Sequence, residues 1–293
     1  MFRKTAPGLL FSILWATGSI AVKFGVHSAD TLILAVMRFI CTGLIFGPYY
    51  YFINKDRFWP IKTEWKSIFI YGFLCTTLTL GCFFAAQPYS SAGISMLFIA
   101  VAPLLIALLS SMILKRKLSR YEIIGMLVAF TGLVVTSAAA LPHADIKPLG
   151  IVLLLIYIFA YALSSVYFSS VKLSLSNSAF NVWQVFIGGL LLLPFCFLFK
   201  QHHIRHVDAN LFFTMFWMIV VLSFIANQLW LYLISKDTVA AGTWLYLTPV
   251  FGYAYGYIFL KESITMFAVA GTVLVVMGLI ISKKKVINKE VSV

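Results

Sequence analysis

Acidic side chains are scarce in this chain, and none falls where a membrane-embedded proton pump would need one. Of 293 residues only 9 are Asp or Glu. Asp30, Asp56, Glu64, Glu122, Asp145, Asp208, Asp237, Glu262 and Glu290 all sit at the ends of apolar runs, between them, or in the tail. Proton-driven pumps usually carry an ionisable carboxylate or histidine along the pathway, so this distribution favours movement of a solute down its own gradient, or exchange. Cysteine is equally sparse: Cys41, Cys75, Cys82 and Cys196 lie in apolar segments with no CxxC or Cys/His spacing and read as small buried hydrophobes. No HExxH, GxSxG or aspartate cluster is present, which removes the common signatures of an intramembrane enzyme. The histidines of "QHHIRH", His202, His203 and His206, lack a nearby cysteine and a fixed carboxylate, so no metal or cofactor is expected.

What is abundant is apolar surface. Hydrophobic residues make up 62% and charged residues 11%, a balance that excludes a soluble globular domain and defines a polytopic membrane protein. Apolar segments of about 20 residues, enough to cross a bilayer, fall at 6–25, 31–53, 67–87, 91–114, 120–138, 149–171, 180–199, 211–234, 238–260 and 264–282. The first follows a basic start without a small-residue cleavage site and is read as a retained span. The net charge of +13 comes with no nucleic-acid motif and sorts by side. Sixteen Lys and Arg lie on the side of the N-terminus and four, at 147, 200, 205 and 261, on the other, which predicts both termini in the cytoplasm. Lys23 and Arg38 complete the 22, near or inside the membrane. Contact with anionic lipid is a secondary consequence of this excess.

Distinctive positions recur at a spacing of 146: Gly43 with Gly189, Pro48 with Pro194, Pro103 with Pro249, Lys115 with Lys261, Gly125 with Gly271, and Gly132 with Gly278. The expectation is two five-helix halves, 1–146 and 147–293. Five is odd, so the second half crosses the membrane in the opposite sense, an inverted-topology repeat with a solute site near midplane between the halves.

The stretches "LFIAVAPLLIALLSSMILKRKLSRYEIIGMLVAFTGLVV" and "WLYLTPVFGYAYGYIFLKESITMFAVAGTVLVVMGLII", with "LWATGSIAVKFG" and "MRF", resemble the EamA repeat of the drug/metabolite transporter superfamily. The resemblance covers nearly the whole chain. It implies an all-α, ten-helix secondary transporter, with export of amino acids, small metabolites or drugs through a central cavity. One departure is visible: the glutamate frequent in the turn after the fourth and ninth helices is present as Glu262 but replaced by Arg116 in the first half.

Halving each span gives the residues near midplane: Trp15 opposite Tyr161, Thr77 opposite Ser223, and Pro103 opposite Pro249. Mid-helix proline frees a carbonyl and allows a bend, which serves either a ligand or packing alone. Phe11, Trp15, Ser19 and Val22 form a helical stripe on the first span, matched by Tyr157, Tyr161, Ser165 and Phe168 on the sixth. Phenol and indole groups at this depth need hydrogen-bond partners, which favours a face toward a cavity. Trp244 and Tyr246 are further candidates, as is Asn227, for which an interhelical hydrogen bond is the alternative. Arg38 stands seven residues beyond Thr31, about 10 Å along a helix rising 1.5 Å per residue. It has no carboxylate at its depth, and is either a structural brace or a direct contact to solute.

The expected activity is export or exchange of a small amphipathic metabolite at a bacterial-type inner membrane, with amino acids or related zwitterions the preferred class. Aromatic walls suit apolar groups, and hydroxyls and amides suit charged ends. The alternatives are organic cations, quaternary amines or drugs held by cation–π contact, and, in a different class, a non-transporting membrane scaffold.

Overall fold

The computed structural model describes residues 2–53, 57–90, 92–138, 147–261 and 265–290. Every regular element there is helical, apart from one isolated antiparallel bridge between Ala29 and Ile204. The helices are α1 (Phe2–Gly25), α2 (Thr31–Ile53), α3 (Lys62–Tyr71), α4 (Gly81–Ala86), α5 (Ala92–Ile113), α6 (Arg120–Ala138), α7 (Pro148–Ser170), α8 (Asn177–Leu198), α9 (Ala209–Trp217), α10 (Asn227–Lys236), α11 (Thr238–Trp244), α12 (Leu247–Leu260) and α13 (Met266–Glu290). Two π-helical stretches, Gly72–Leu80 and Met218–Ala226, join α3 to α4 and α9 to α10.

Seven helical stretches among the described residues are long and apolar enough to cross a membrane, and Phe98–Ile113 is apolar but shorter. Apolar runs become helices here because a backbone in hydrocarbon must satisfy its own N–H and C=O groups. Polar residues mark where helices begin: Asp208 accepts from the Leu211 amide at the start of α9, and Asp237 from the Val239 and Ala240 amides at the start of α11. Pro148 opens α7 at a position whose N–H would be unpaired in any case.

The expected spans at 67–87 and 211–234 are longer in the structure, at Lys62–Tyr89 and Ala209–Lys236. Their polar first turns remain helical. The expected segment at 238–260 is interrupted at Leu245 and Tyr246, between α11 and α12. Pro249 accounts for the break, since it has no N–H to offer the Leu245 carbonyl.

Packing is closest where glycines meet. A Cβ added at Gly125 in α6 would stand 2.5 Å from the Gly278 carbonyl oxygen in α13, and one added at Gly132 would stand 2.7 Å from that of Gly271. Along α2 and α8, Gly43 faces Phe186 while Gly189 faces Phe39 and Ile40. Small residues at such crossings let apolar helices approach to backbone contact, which is how helices gain dispersion energy in lipid. Lys115 and Lys261 both adopt positive φ, 53° and 55°, so each turns the chain at a helix end, where a cation also suits the carbonyl-rich terminus.

Candidate functional site

A cavity of about 240 Å³ lies among α1, α2, α4, α5, α7 and α12. Of the residues singled out from the sequence, Trp15, Val22, Arg38, Tyr157, Tyr161 and Pro249 are on its wall. Leu222 and Leu245 line its interior, and Lys23 and Gln87 line the part next to the last turns of α1 and α4. Its other walls include Leu80, Phe83, Ile99 and Thr248.

The aromatic rings on the wall are linked into a ladder through Phe11 and Trp230, which are not themselves lining residues. Trp15 stacks on Phe11 at 5.6 Å, Phe11 on Trp230 at 5.0 Å, Trp230 on Tyr161 at 5.4 Å, and Tyr161 on Tyr157 at 6.4 Å. Phe83 extends it at 5.2 Å from Tyr157. Offset ring pairs of this kind add about 0.5–1.5 kcal/mol each beyond burial, so the wall is rigid. The Tyr161 hydroxyl and the Trp230 Nε1 are buried without a hydrogen-bond partner among the described residues.

Arg38 is 4% exposed, and its Nε donates to Ser223 Oγ at 2.9 Å. Its guanidinium carbon lies 4.7 Å from the Phe39 ring centre. Behind Ser223 runs a buried amide network: Asn181 Nδ2 donates to the Ser223 carbonyl at 2.9 Å, Gln184 and Asn227 each donate to Asn181 Oδ1 at 3.0 Å, and Thr76 donates to Gln184 Oε1 at 2.8 Å. Such a network, satisfied throughout, holds its members in one arrangement.

The other candidates stand away from the cavity wall. Thr77 donates to the Gly188 carbonyl at 2.9 Å, tying its π-helical stretch to α8. Trp244 packs where a side chain on Gly8 would have to go, with its carbonyl taking the Ser12 hydroxyl at 2.8 Å and Lys283 Nζ 3.1 Å from the ring centre. Tyr246 is buried in a separate apolar cluster with Ala107, Met126 and Val275. Pro103 approaches Gly242 and packs α5 against α11. The side chain of Ser19 is outside the described residues, as is Glu262. Trp230 and Asn181 were not singled out from the sequence, although Trp230 lies one helical turn from Asn227 and so on the same face.

Ion pairs tie the helix ends together. At the end that carries the N-terminus, Arg116 pairs with Glu122 and with Asp237, each at 2.7 Å. Glu64 there, 4% exposed, accepts from Arg57 and from the Ser174 and Leu175 amides. At the opposite end Asp30 pairs with Arg205 and lies 3.3 Å from His203, while Asp208 takes the Ser28 hydroxyl at 2.7 Å. Among the described residues no cluster of His, Cys, Asp or Glu fits a metal ion.

Apolar helices enclosing an aromatic chamber with one buried cation on its wall define a multi-pass membrane protein with an internal cavity. The chain belongs to the EamA-like transporter family, whose model matches residues 7–138 and again 148–283. It is 24% identical over 274 residues to an uncharacterized transporter of Archaeoglobus fulgidus, covering 92% of this chain and 95% of that one. It is 23% identical over 284 residues to a probable amino-acid metabolite efflux pump of Salmonella typhimurium, covering 94% and 92%. A crystal structure at 16% identity superposes with a TM-score of 0.78 over 95% of each chain, which shows the fold.

Proposed function

We propose that the protein exports or exchanges a small amphipathic metabolite, with amino acids or related zwitterions the preferred class, by alternating access of two inverted five-helix halves. The observation that carries this is the aromatic chamber itself: Trp15, Phe83, Tyr157 and Tyr161 on its wall, with Trp15 and Tyr161 linked by stacking through Phe11 and Trp230, and a cation braced by a buried hydroxyl. Concave sites with apolar walls and few placed polar groups are what small-molecule recognition requires. The name of the Salmonella relative agrees with an amino-acid substrate.

Reciprocal contacts support the two-fold relation of the halves. Gly125 meets Gly278 while Gly132 meets Gly271, and the second pair is the first with its members exchanged at a spacing of 146. The two π-helical stretches, at 72–80 and 218–226, stand at the same spacing, as do Lys115 and Lys261. The double family match agrees with this division. The reading therefore carries ten spans, both termini in the cytoplasm and an inner-membrane location, with lipid and solute as partners and transport rather than catalysis as the activity.

Counterflow in proteoliposomes tests the function. Vesicles preloaded with an amino-acid mixture should accumulate labelled phenylalanine, and Trp15→Ala should abolish the uptake while leaving the protein folded. Flux equal to that of empty liposomes for every amino acid tried would sink the reading.

A further inference from the structure

Resting on the reading of the cavity as the transport site, we propose that the end of the solute it recognises is a carboxylate, gripped by the outer edge of the Arg38 guanidinium. The substrates of this transporter are then small organic anions with an apolar or aromatic body, and an ammonium group on them is tolerated rather than required.

The charge of the wall is the first argument. Lys23 and Arg38 line the cavity, and no Asp or Glu is among its lining residues. A bound cation would meet like charge without a counter-ion, whereas an anion would relieve the burial of Arg38.

The second argument is what Arg38 has left to give. A guanidinium carries five N–H donors in a planar fork. Nε uses one on Ser223 Oγ at 2.9 Å. Among the described residues neither Nη atom has an acceptor, and no carboxylate pairs with the group. The guanidinium is placed by the Ser223 bond and by the Phe39 ring, 4.7 Å from its carbon, while the Ser223 backbone is held by Asn181 at 2.9 Å. A braced Arg with its two Nη groups unspent matches a carboxylate in bidentate geometry, which is the strong form of this contact.

A third observation is independent of the charge. Tyr161 lines the cavity, while its hydroxyl is closed off from open space and has no partner among the described residues. Such a group is costly to leave unmade, and a ligand oxygen that reaches it on binding would satisfy it. Trp15 and Tyr157 then supply flat apolar surface for the body of the same molecule.

The test uses three probes with the same ring and chain length, 3-phenylpropionate, phenylalanine and phenethylamine, on the full-length protein in lipid nanodiscs, with binding read by calorimetry. The expected order is anion, zwitterion, cation, with at least about tenfold between the first and last, the scale of a charge-assisted bidentate contact. Arg38→Gln should reduce that spread to within about threefold by removing the fork. If that variant does not accumulate, Ser223→Ala carries the same test by untying Nε, with weaker binding of phenylpropionate and unchanged binding of phenethylamine expected. Phenethylamine binding as tightly as phenylpropionate, a preference that survives Arg38→Gln, or no binding of any of the three would each overturn the carboxylate assignment. Phenylalanine counterflow with no preference for anions would overturn it while leaving the transport reading intact, and absence of all flux would remove the transport reading.

Discussion

Tyr161 presents a buried hydroxyl with no partner among the described residues, so its removal separates folding from function. Deleting an unsatisfied polar group is neutral or mildly stabilising, whereas deleting one that meets solute loses about 1 kcal/mol of binding, or some fivefold in affinity. Tyr161→Phe should therefore melt at or above the parent temperature while its transport KM rises; a parent-like KM would show that the hydroxyl touches nothing that moves. Asp208 makes a contrasting case outside the membrane. The Leu211 amide and then the Ser28 hydroxyl hold its carboxyl below the usual range. A depressed value in the fold means that the stability it contributes is present above the unfolded value, about 3.9, and is lost as pH falls through the depressed one. Asp208→Asn should lower the melting temperature at pH 7 and flatten its decline below pH 4; parallel acid limbs in the two proteins would refute this. Arg38 was conspicuous in the sequence as a charge inside an apolar run. Trp230 and Asn181 were not, because halving a span gives depth in the membrane but not direction around the helix, and direction decides which residues stack on or brace the groups of a chamber.

Direction is lost at the element scale for a definite reason. The Met218–Ala226 stretch is π-helical, as is Gly72–Leu80 at the matching place in the first half. A wider turn rotates everything after it relative to a 3.6-residue period, so the direction of Asn227 and Trp230 is not readable from periodicity alone. Nothing in "MIVVLSFIA" announces the change, since it arises from packing. The glycine crossings were legible, because close approach in lipid demands small residues and these recur at a fixed spacing. They also give a sharp test. A side chain on Gly278 would press on the Gly125 carbonyl and on Ala129, at 2.5 Å and 2.6–2.8 Å from the added carbon. Gly278→Val should cost about 1–3 kcal/mol, the usual range for overpacking. Gly252→Ala, at a site with nothing within 4 Å of the added carbon, should leave stability unchanged or raised. Equal melting temperatures for the two variants would mean that α6 and α13 separate freely.

At the scale of the whole molecule, alternating access requires a closure at one end to break when the chamber faces that end. The Ser28–Asp208 tie and the Ser174–Glu64 tie stand at opposite ends of the structure, each joining one half of the chain to the other. Arg116 makes another such tie. It joins the turn after α5 to the start of α11 through Asp237, at the end away from Lys23 and Gln87, and its Asp237 contact crosses from the first half to the second. In the sequence it stood out as a departure from the resembled pattern, and the structure gives it acidic partners at 2.7 Å on both sides. Removing it should favour the conformation open at its own end, because a two-state equilibrium moves by whatever interaction is lost from one state alone. Ala16, buried on the chamber wall, is a suitable reporter once changed to Cys, since the added volume is small. In the proposed orientation, with both termini in the cytoplasm, Ala16→Cys should react with a membrane-impermeant thiol reagent from outside intact cells. Adding Arg116→Ala should slow that reaction and speed the one measured in inside-out vesicles, both by several-fold. If both rates stay at their parent values, Arg116 pins a loop and the cytoplasmic closure lies elsewhere.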